Sequence, residues 1–430
     1  MPSAFAALAR TTREHLPLLR DIGGTSAARM YSTLLSLGTL MLTARWLGPH
    51  GRGIVVVVTT WVTLFAGLAH LSIGQVLVHR AANERGEAWV GSALGALLML
   101  TAATSLIGWV AAGLLYASAA GRLFDGIPAA ALALGFAALP FLIWEQYGSV
   151  LLSILGRLKT YNLAQVIGRT LGLVVLIATI RLLGFGVYGF LVAFVMAQMV
   201  VAGAGSAALL RRRDIAGGVA AVGRLVRDGL KIHLNAIGVL LFSGVDILML
   251  QYFRGPAEAA IFQLPMQLFL AMLLVPQAAQ LALQARVAGR SRADFWREHR
   301  AVIAYVIAGM SVVGAVLWLL APTIVPLIGS HRFDQSVPVF RVLLLGLPCT
   351  CLSTLMAIQW ITRGYFIQAG LITCASGLLN CMLNLYLIPA YGVIGAAAAY
   401  AGGMFVVPLI ANTWMILAAQ HGMISGARSD

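Results

Sequence analysis

The stretch AVIAYVIAGMSVVGAVLWLLAPTIVPLI, Ala301–Ile328, holds no charged side chain. A helix needs about 20 predominantly apolar residues to cross a bilayer's hydrocarbon core, and this run exceeds that. Gly53–Val78 and Val90–Ala117 have the same character. No water is available at that depth, so backbone N–H and C=O groups must be bonded internally, and helices are the expected spanning structure. Such runs tile the chain, near 22–47, 53–78, 90–118, 127–155, 161–182, 185–210, 230–252, 257–285, 300–328, 338–362, 367–388 and 393–419. Apolar types make up 60% of the 430 residues and charged types 10%, with a mean hydropathy of +0.91. Soluble folds are excluded. The expected fold is an all-α polytopic membrane protein with about twelve transmembrane helices.

Basic residues set the orientation. With the N-terminus inside, 20 Lys and Arg fall in inner segments and 7 in outer ones, while Arg29 and Arg169 lie within spans. Both termini are therefore expected in the cytoplasm. The net charge of +15 follows from the same rule and favours anionic lipid headgroups, so no nucleic-acid partner is needed to explain it. The Arg-rich, Ala-rich composition points to a bacterium and hence to its cytoplasmic membrane. The first apolar run is of spanning length with no small-residue cleavage site before a soluble domain, unlike a signal peptide. Cys349, Cys351, Cys374 and Cys381 lie in apolar runs without metal-type spacing and read as packing residues.

The chain also repeats. Trp46-Leu47-Gly48-Pro49-His50-Gly51-Arg52-Gly53-Ile54 has a counterpart in Phe253-Arg254-Gly255-Pro256-Ala257-Glu258-Ala259-Ala260-Ile261, 207 residues later. Gly184-Phe185-Gly186-Val187-Tyr188-Gly189 matches Ala390-Tyr391-Gly392-Val393-Ile394-Gly395 at an offset of 206. The loops join spans of matching rank, so two parallel six-helix bundles are expected, residues 1–215 and 216–430, around a central lumen. Secondary transporters recurrently bind substrate between such halves. The basic segment Arg211–Lys231 reads as the linker between the halves, partly an amphipathic surface helix, and Arg286–Arg300 reads the same way.

Ala44-Arg45-Trp46-Leu47-Gly48-Pro49 with Gly53, Asp246-Ile247-Leu248-Met249-Leu250-Gln251-Tyr252-Phe253-Arg254-Gly255-Pro256, and Asn380-Cys381-Met382-Leu383-Asn384-Leu385-Tyr386-Leu387-Ile388-Pro389 followed by Tyr391-Gly392-Val393-Ile394-Gly395 together resemble one family. It is the polysaccharide-transporter branch of the multidrug/oligosaccharidyl-lipid/polysaccharide exporter superfamily. The match in order and spacing covers nearly the whole chain, although Ala260 stands where that pattern commonly has glycine. The resemblance implies a flippase for oligosaccharide repeat units on an undecaprenyl pyrophosphate carrier, such as O-antigen or exopolysaccharide units. It also implies two bundles forming a V and, as partners, a polysaccharide polymerase and co-polymerase.

Charges inside spans are costly and mark function by default. Glu145 and Arg169 each lie twelve residues from Arg157 in the turn between the fourth and fifth spans. At about 1.5 Å per residue both fall roughly 18 Å from that turn, where antiparallel neighbours can pair. One reading is a structural ion pair; the other makes Glu145 a protonatable coupling group and Arg169 a lumen cation. Arg29 either snorkels to the inner interface or, as the resemblance favours, faces the lumen and grips pyrophosphate with its planar guanidinium. Asp246 reads equally as a coupling site, an ion-pair partner or a repeat-interface residue. Arg45, Arg52 and Arg254 are expected at the outer mouth. Gln263 and Gln267 lie along the eighth span, where Gln277, Gln280 and Gln284 share one face; Asn380 and Asn384 form an i, i+4 pair. Such stripes either glue helices together or line a wet lumen; Gln267, Gln277, Gln280, Gln284, Asn380 and Asn384 are taken as lumen residues for sugar hydroxyls. His70 and His233 read as packing or hydrogen-bonding residues rather than proton relays.

The leading expectation is a flippase without cofactor or metal. No G-x-x-x-x-G-K-[ST] loop is present, so ATP hydrolysis by this chain is not expected. A drug exporter of the same superfamily is the alternative. A glycan polymerase or glycosyltransferase fits poorly, because the outer loops are short and carry no carboxylate pair.

Overall fold

The computed structural model describes residues 2–84, 86–210, 215, 218–284 and 292–420; the side chains of residues 1–27 and of Arg29 are among those outside that description. All regular structure among the described residues is helical. The first half contains α1 (Pro2–Ala69), α2 (Ile73–Asn83), α3 (Ala88–Leu123), α4 (Ala129–Phe136), α5 (Leu139–Ile154), α6 (Leu158–Ile177) and α7 (Gly186–Leu210). The second contains α8 (Val219–Ser243), α9 (Val245–Arg254), α10 (Pro256–Met272), α11 (Leu274–Gln284), α12 (Arg292–Gly329), α13 (Ser336–Leu345), α14 (Leu347–Thr362) and α15 (Phe366–Gln420).

Eight described helical stretches are long and apolar enough to cross a membrane, or nine if α13 and α14, bent by 47°, form one span. This is a multi-pass α-helical membrane protein. Two of the eight, Met30–Asn83 and Ile367–Leu417, run 54 and 51 residues, about twice one crossing. Each is interrupted by a glycine with non-helical backbone, Gly48 (φ 66°) and Gly392 (φ 55°). The stretch 219–254 is not among the eight. Its first turns carry Arg224, Arg227, Asp228 and Lys231, and Gly244 breaks it before Val245.

Gly48 and Gly255 both adopt positive φ, as do Gly186 and Gly392. These are the paired positions of the two sequence repeats, so equivalent loops share a turn geometry that L side chains avoid. We call the end carrying Gly48, Asp125, Gly255 and Gly392 the outer end, after its expected orientation. There the halves press together. A Cβ on Gly53 would lie 1.8 Å from the Pro256 carbonyl oxygen, and one on Gly48 would lie 3.3 Å from an Arg332 Nη1. Gln251 Nε2 donates to the Asp125 carbonyl at 2.7 Å.

α8 does not begin with a separate surface helix. It runs unbroken from Val219 to Ser243, so the amphipathic turns continue directly into the apolar ones. The same holds where α12 leaves Arg292; residues 211–214, 216–217 and 285–291 lie outside the described set. Between α1 and α2 the chain breaks at His70–Ser72, where Leu71 (φ 49°) and Ser72 (φ 53°) are left-handed without being glycine. Such conformations cost about 1–3 kcal/mol each and persist only where surroundings hold them.

Candidate functional site

A cavity of about 290 Å³ lies beneath the closed outer end, lined by residues of α1, α6, α7 and α10. Its charged lining residues are Arg52 and Arg169; Ser36, Thr39, Thr59, Gln198 and Gln267 supply its other polar groups. The remainder of the wall is apolar, from Leu35 and Leu40 to Phe190 and Phe194.

Arg52 is 4% exposed. It was expected at the rim, but α1 resumes its helix before this residue and turns the side chain inward. Its guanidinium donates to Thr43 Oγ1 and, across the seam between the halves, to Gln263 Oε1 at 3.0 Å. Thr43 can accept because its own hydroxyl donates to the Thr39 carbonyl at 2.6 Å. Arg52 Nε is buried without a partner, as is Gln267 Oε1. Buried polar groups are normally satisfied, so a donor and an acceptor left open at a cavity mark a place for polar cargo.

Arg169 sits on α6 with Gln165 and Tyr161, at successive i+4 positions on one face. Tyr161 Oη donates to Glu145 Oε1 at 3.1 Å, Gln165 Nε2 donates to the same oxygen, and Arg169 Nε donates to Gln165 Oε1 at 3.0 Å. Glu145 and Arg169 therefore do not form a direct ion pair. Gln165 stands between them, its amide bonded to both. Arg169 Nη1 also reaches Ser36 Oγ at 3.5 Å, and Tyr31 Oη meets Thr170 Oγ1 at 2.8 Å, so the inner part of α1 leans on α6.

Asp246 is 3% exposed and lies in the first turn of α9. Asn380 Nδ2 donates to its Oδ1 at 2.8 Å, and Asn384 Nδ2 donates to the same atom. Both asparagines are fully buried. They thus do not line the cavity: their i, i+4 spacing on α15 clasps a carboxylate inside the second half. Asn384 Oδ1 remains unpartnered, and no described cationic side chain bonds Asp246.

Gln277 and Gln284 are exposed and Gln280 is half-buried, all on α11. A turn at Leu273 separates them from Gln267, and none lines the cavity. Arg45 donates to the Leu327 carbonyl. Arg254 donates to the carbonyl of Pro389 at 2.6 Å and that of Ile388 at 3.4 Å. These two arginines tie outer loops together, using carbonyls freed where helices end or bend. The Arg29 side chain lies outside the described residues. Sequence reasoning missed Tyr161, Gln165 and Thr43; the spacing of 161, 165 and 169 was the available signal for the first two. None of the four cysteines is joined in a disulfide, and no group of metal-ligating side chains occurs among the described residues.

A family model described as polysaccharide biosynthesis protein matches residues 18–281. The chain belongs to this family. This match agrees with the resemblance to the polysaccharide-transporter branch seen in the sequence. In fold it is similar to a lipid II flippase, MurJ, in an inward closed conformation (TM-score 0.76, 12% identity, covering 94% of this chain and 93% of that one). It is also similar to a multidrug resistance MATE family transporter of the MOP superfamily in an inward-facing conformation (TM-score 0.66, 16% identity, 94% and 96%). A third similar structure is a MOP superfamily transporter from Pyrococcus furiosus, described as having a binding pocket of reversed polarity (TM-score 0.59, 17% identity, 93% and 96%). No curated protein sequence matches significantly. At these identities the structural likeness establishes the polytopic transporter fold of the polysaccharide biosynthesis family member, and its chemistry must be read from its own cavity.

Proposed function

We propose that this protein is a flippase for lipid-linked oligosaccharide units on an undecaprenyl pyrophosphate carrier. It would serve synthesis of a surface polysaccharide such as O-antigen or exopolysaccharide at the bacterial cytoplasmic membrane. The observation that carries the reading is the cavity lining: both of its charged side chains are arginines, set among amide and hydroxyl groups. Guanidinium groups meet phosphate oxygens in bidentate fashion, and amides and hydroxyls meet sugar hydroxyls. The polyprenyl tail remains in lipid, since only the polar headgroup is barred from hydrocarbon.

In this reading the chain has twelve spans with both termini cytoplasmic, and residues 1–215 and 216–430 rock against each other. The closed outer end is one state of that cycle. Opening it requires the Arg52–Gln263 bond to break, which couples cargo binding to the outer seam. Arg29 is a further lumen cation. Asp246, held by Asn380 and Asn384, is the coupling site for a proton or a monovalent cation, and Glu145 positions Arg169 through Gln165. Polymerase and co-polymerase receive the glycan outside.

Drug export is the second reading, favoured by the MATE-type structures of similar fold. A cationic drug would meet two like charges in this cavity, and Glu145 is already bonded to Tyr161 and Gln165. Purified protein in liposomes loaded with an undecaprenyl pyrophosphate-linked oligosaccharide decides between the two. The expected result is transfer of inner-leaflet glycan to the face open to a membrane-impermeant glycan-oxidising reagent, lost in Arg52→Ala and Arg169→Ala. Active protein that exports organic ions yet leaves the glycan unmoved would overturn the flippase reading.

A further inference from the structure

At the break between α1 and α2, His70 meets His233 of α8, a pair of histidines that the cavity chemistry does not use. His70 and Ser72 belong to the first half and His233, on α8, to the second. The Ser72 backbone N–H donates to His70 Nδ1 at 2.9 Å. Ser72 Oγ lies 3.0 Å from His233 Nδ1, and the two rings stand edge to face with centroids 5.8 Å apart. His233 is 5% exposed, and its Nε2 is buried with no partner. The approach is close: a Cβ on Gly229 would lie 2.4 Å from the Leu71 carbonyl oxygen, and one on Gly67 would lie 2.5 Å from Leu240. Tyr147 Oη, from α5, reaches the Ala69 carbonyl at 3.5 Å. His70 and Ser72 also line a cavity of about 520 Å³ together with Gln75 and Gln146, ample room for water.

We propose that His70 and His233 form a proton-binding site whose occupation releases the inner end of the seam between α2 and α8. The chemistry follows from the donor pattern. An Nδ1 that accepts from a backbone N–H carries no proton, so the observed arrangement requires neutral His70. Protonating His70 places two N–H groups head to head and removes the bond that holds Ser72 in its left-handed conformation. Protonating His233 leaves a buried cationic N–H without an acceptor, beside a second ring that also takes a proton. Either event favours separation of the faces, where water can solvate both rings.

The surrounding groups do not neutralise such a charge. From α5, Tyr147 faces the pair. On α8, Asp228 and Lys231 are bonded to each other at 2.8 Å, nearer the inner surface, and on α2 Arg80 is bonded to Glu84 at 2.6 Å. His79 is exposed and faces Asp228. From α15, Cys374 packs on Gly238. Among the described residues no carboxylate contacts either ring.

The test places spin labels at Asn83→Cys and Val219→Cys, near the inner ends of α2 and α8, with the four native cysteines replaced by Ala. Label-to-label distances are measured in liposomes. Histidines change charge across physiological pH, so distances are compared at about pH 8 and about pH 5.5. The expected result is a separation longer by roughly 5–10 Å, a scale typical of domain rearrangement, whose population rises at least about threefold (on the order of a 0.7 kcal/mol change) at the lower pH. His70→Asn with His233→Asn, which retains acceptors but cannot titrate, should keep the short distance at both values. Ser72→Ala should populate the long distance at both. A distribution unmoved by pH in the parent protein, or one that moves equally in the double Asn variant, would overturn the proposal. No glycan is present in the measurement, so its failure leaves the flippase reading standing, and failure of glycan transfer leaves this one.

Discussion

Arg52 shows how far a single side chain can depart from its sequence neighbourhood. It follows a Gly-Pro turn, as a rim residue would, yet it is buried against a glutamine 211 positions away. Arg52→Ala should lower surface glycan at least about tenfold at near-normal protein level, since a buried charge-assisted bond and an anion contact vanish together; Arg52→Lys should recover part, keeping charge without the fork. Quantitative surface-glycan staining beside an immunoblot checks this, and full staining of Arg52→Ala would remove its role. For Glu145 and Arg169, a double-mutant cycle with Gln substitutions should give a coupling below about 1 kcal/mol that disappears when Gln165 is Ala, because the amide transmits it. Coupling that persists without Gln165, read from thermal unfolding of purified protein, would show direct contact instead. Asp246→Asn should leave thermal stability unchanged or raised, because the new amide oxygen still accepts from Asn380 and Asn384 while a buried charge without a cation is removed. Transport by that variant should lose its dependence on the coupling ion, and unchanged ion dependence in the D246N protein would place coupling elsewhere. Arg169 and Gln267 are legible in sequence as polar residues within apolar runs. The destination of Asn380 and Asn384 is not, since i, i+4 spacing states that they share a face and is silent on what that face meets.

At the scale of elements, hydropathy finds the spans because lipid imposes composition on whole segments. It does not find the bends, which depend on local packing: Gly346 between α13 and α14, Leu273 between α10 and α11, Gly244 between α8 and α9. The strained turn at Leu71 and Ser72 is similarly invisible, as neither residue type announces a left-handed conformation. Glycines divide by what surrounds them. Gly53→Ala would drive a methyl group into the Pro256 carbonyl, so the outer seam should open and expose Gln263→Cys to a membrane-impermeant maleimide, with labelling several-fold faster than in a Gly53 parent. Gly203 on α7 has open space around its Cβ position, and Gly203→Ala should leave labelling unchanged and stabilise by about 0.5–1 kcal/mol through the unfolded chain. Slow labelling in Gly53→Ala with protein still folded would show that the seam tolerates the strain by another route.

For the whole molecule, two short loops recur in the sequence at nearly one offset, and both copies of each loop carry a glycine of positive φ. The topology prediction is an alkaline phosphatase fusion active at Arg254 and silent at Arg428; activity at both sites would break the even span count. The two groups proposed to bind cargo and coupling ion lie in different halves. The cavity arginines belong to the first half and the buried Asp246 to the second, each with its own hydrogen-bond partners. Two sites that share no atom can be loaded in either order. An inhibitor that blocks the Asp246 carboxylate should therefore depress the maximal rate while leaving the half-saturating glycan concentration unaltered, a noncompetitive pattern that an anion lodged between Arg52 and Arg169 would not produce.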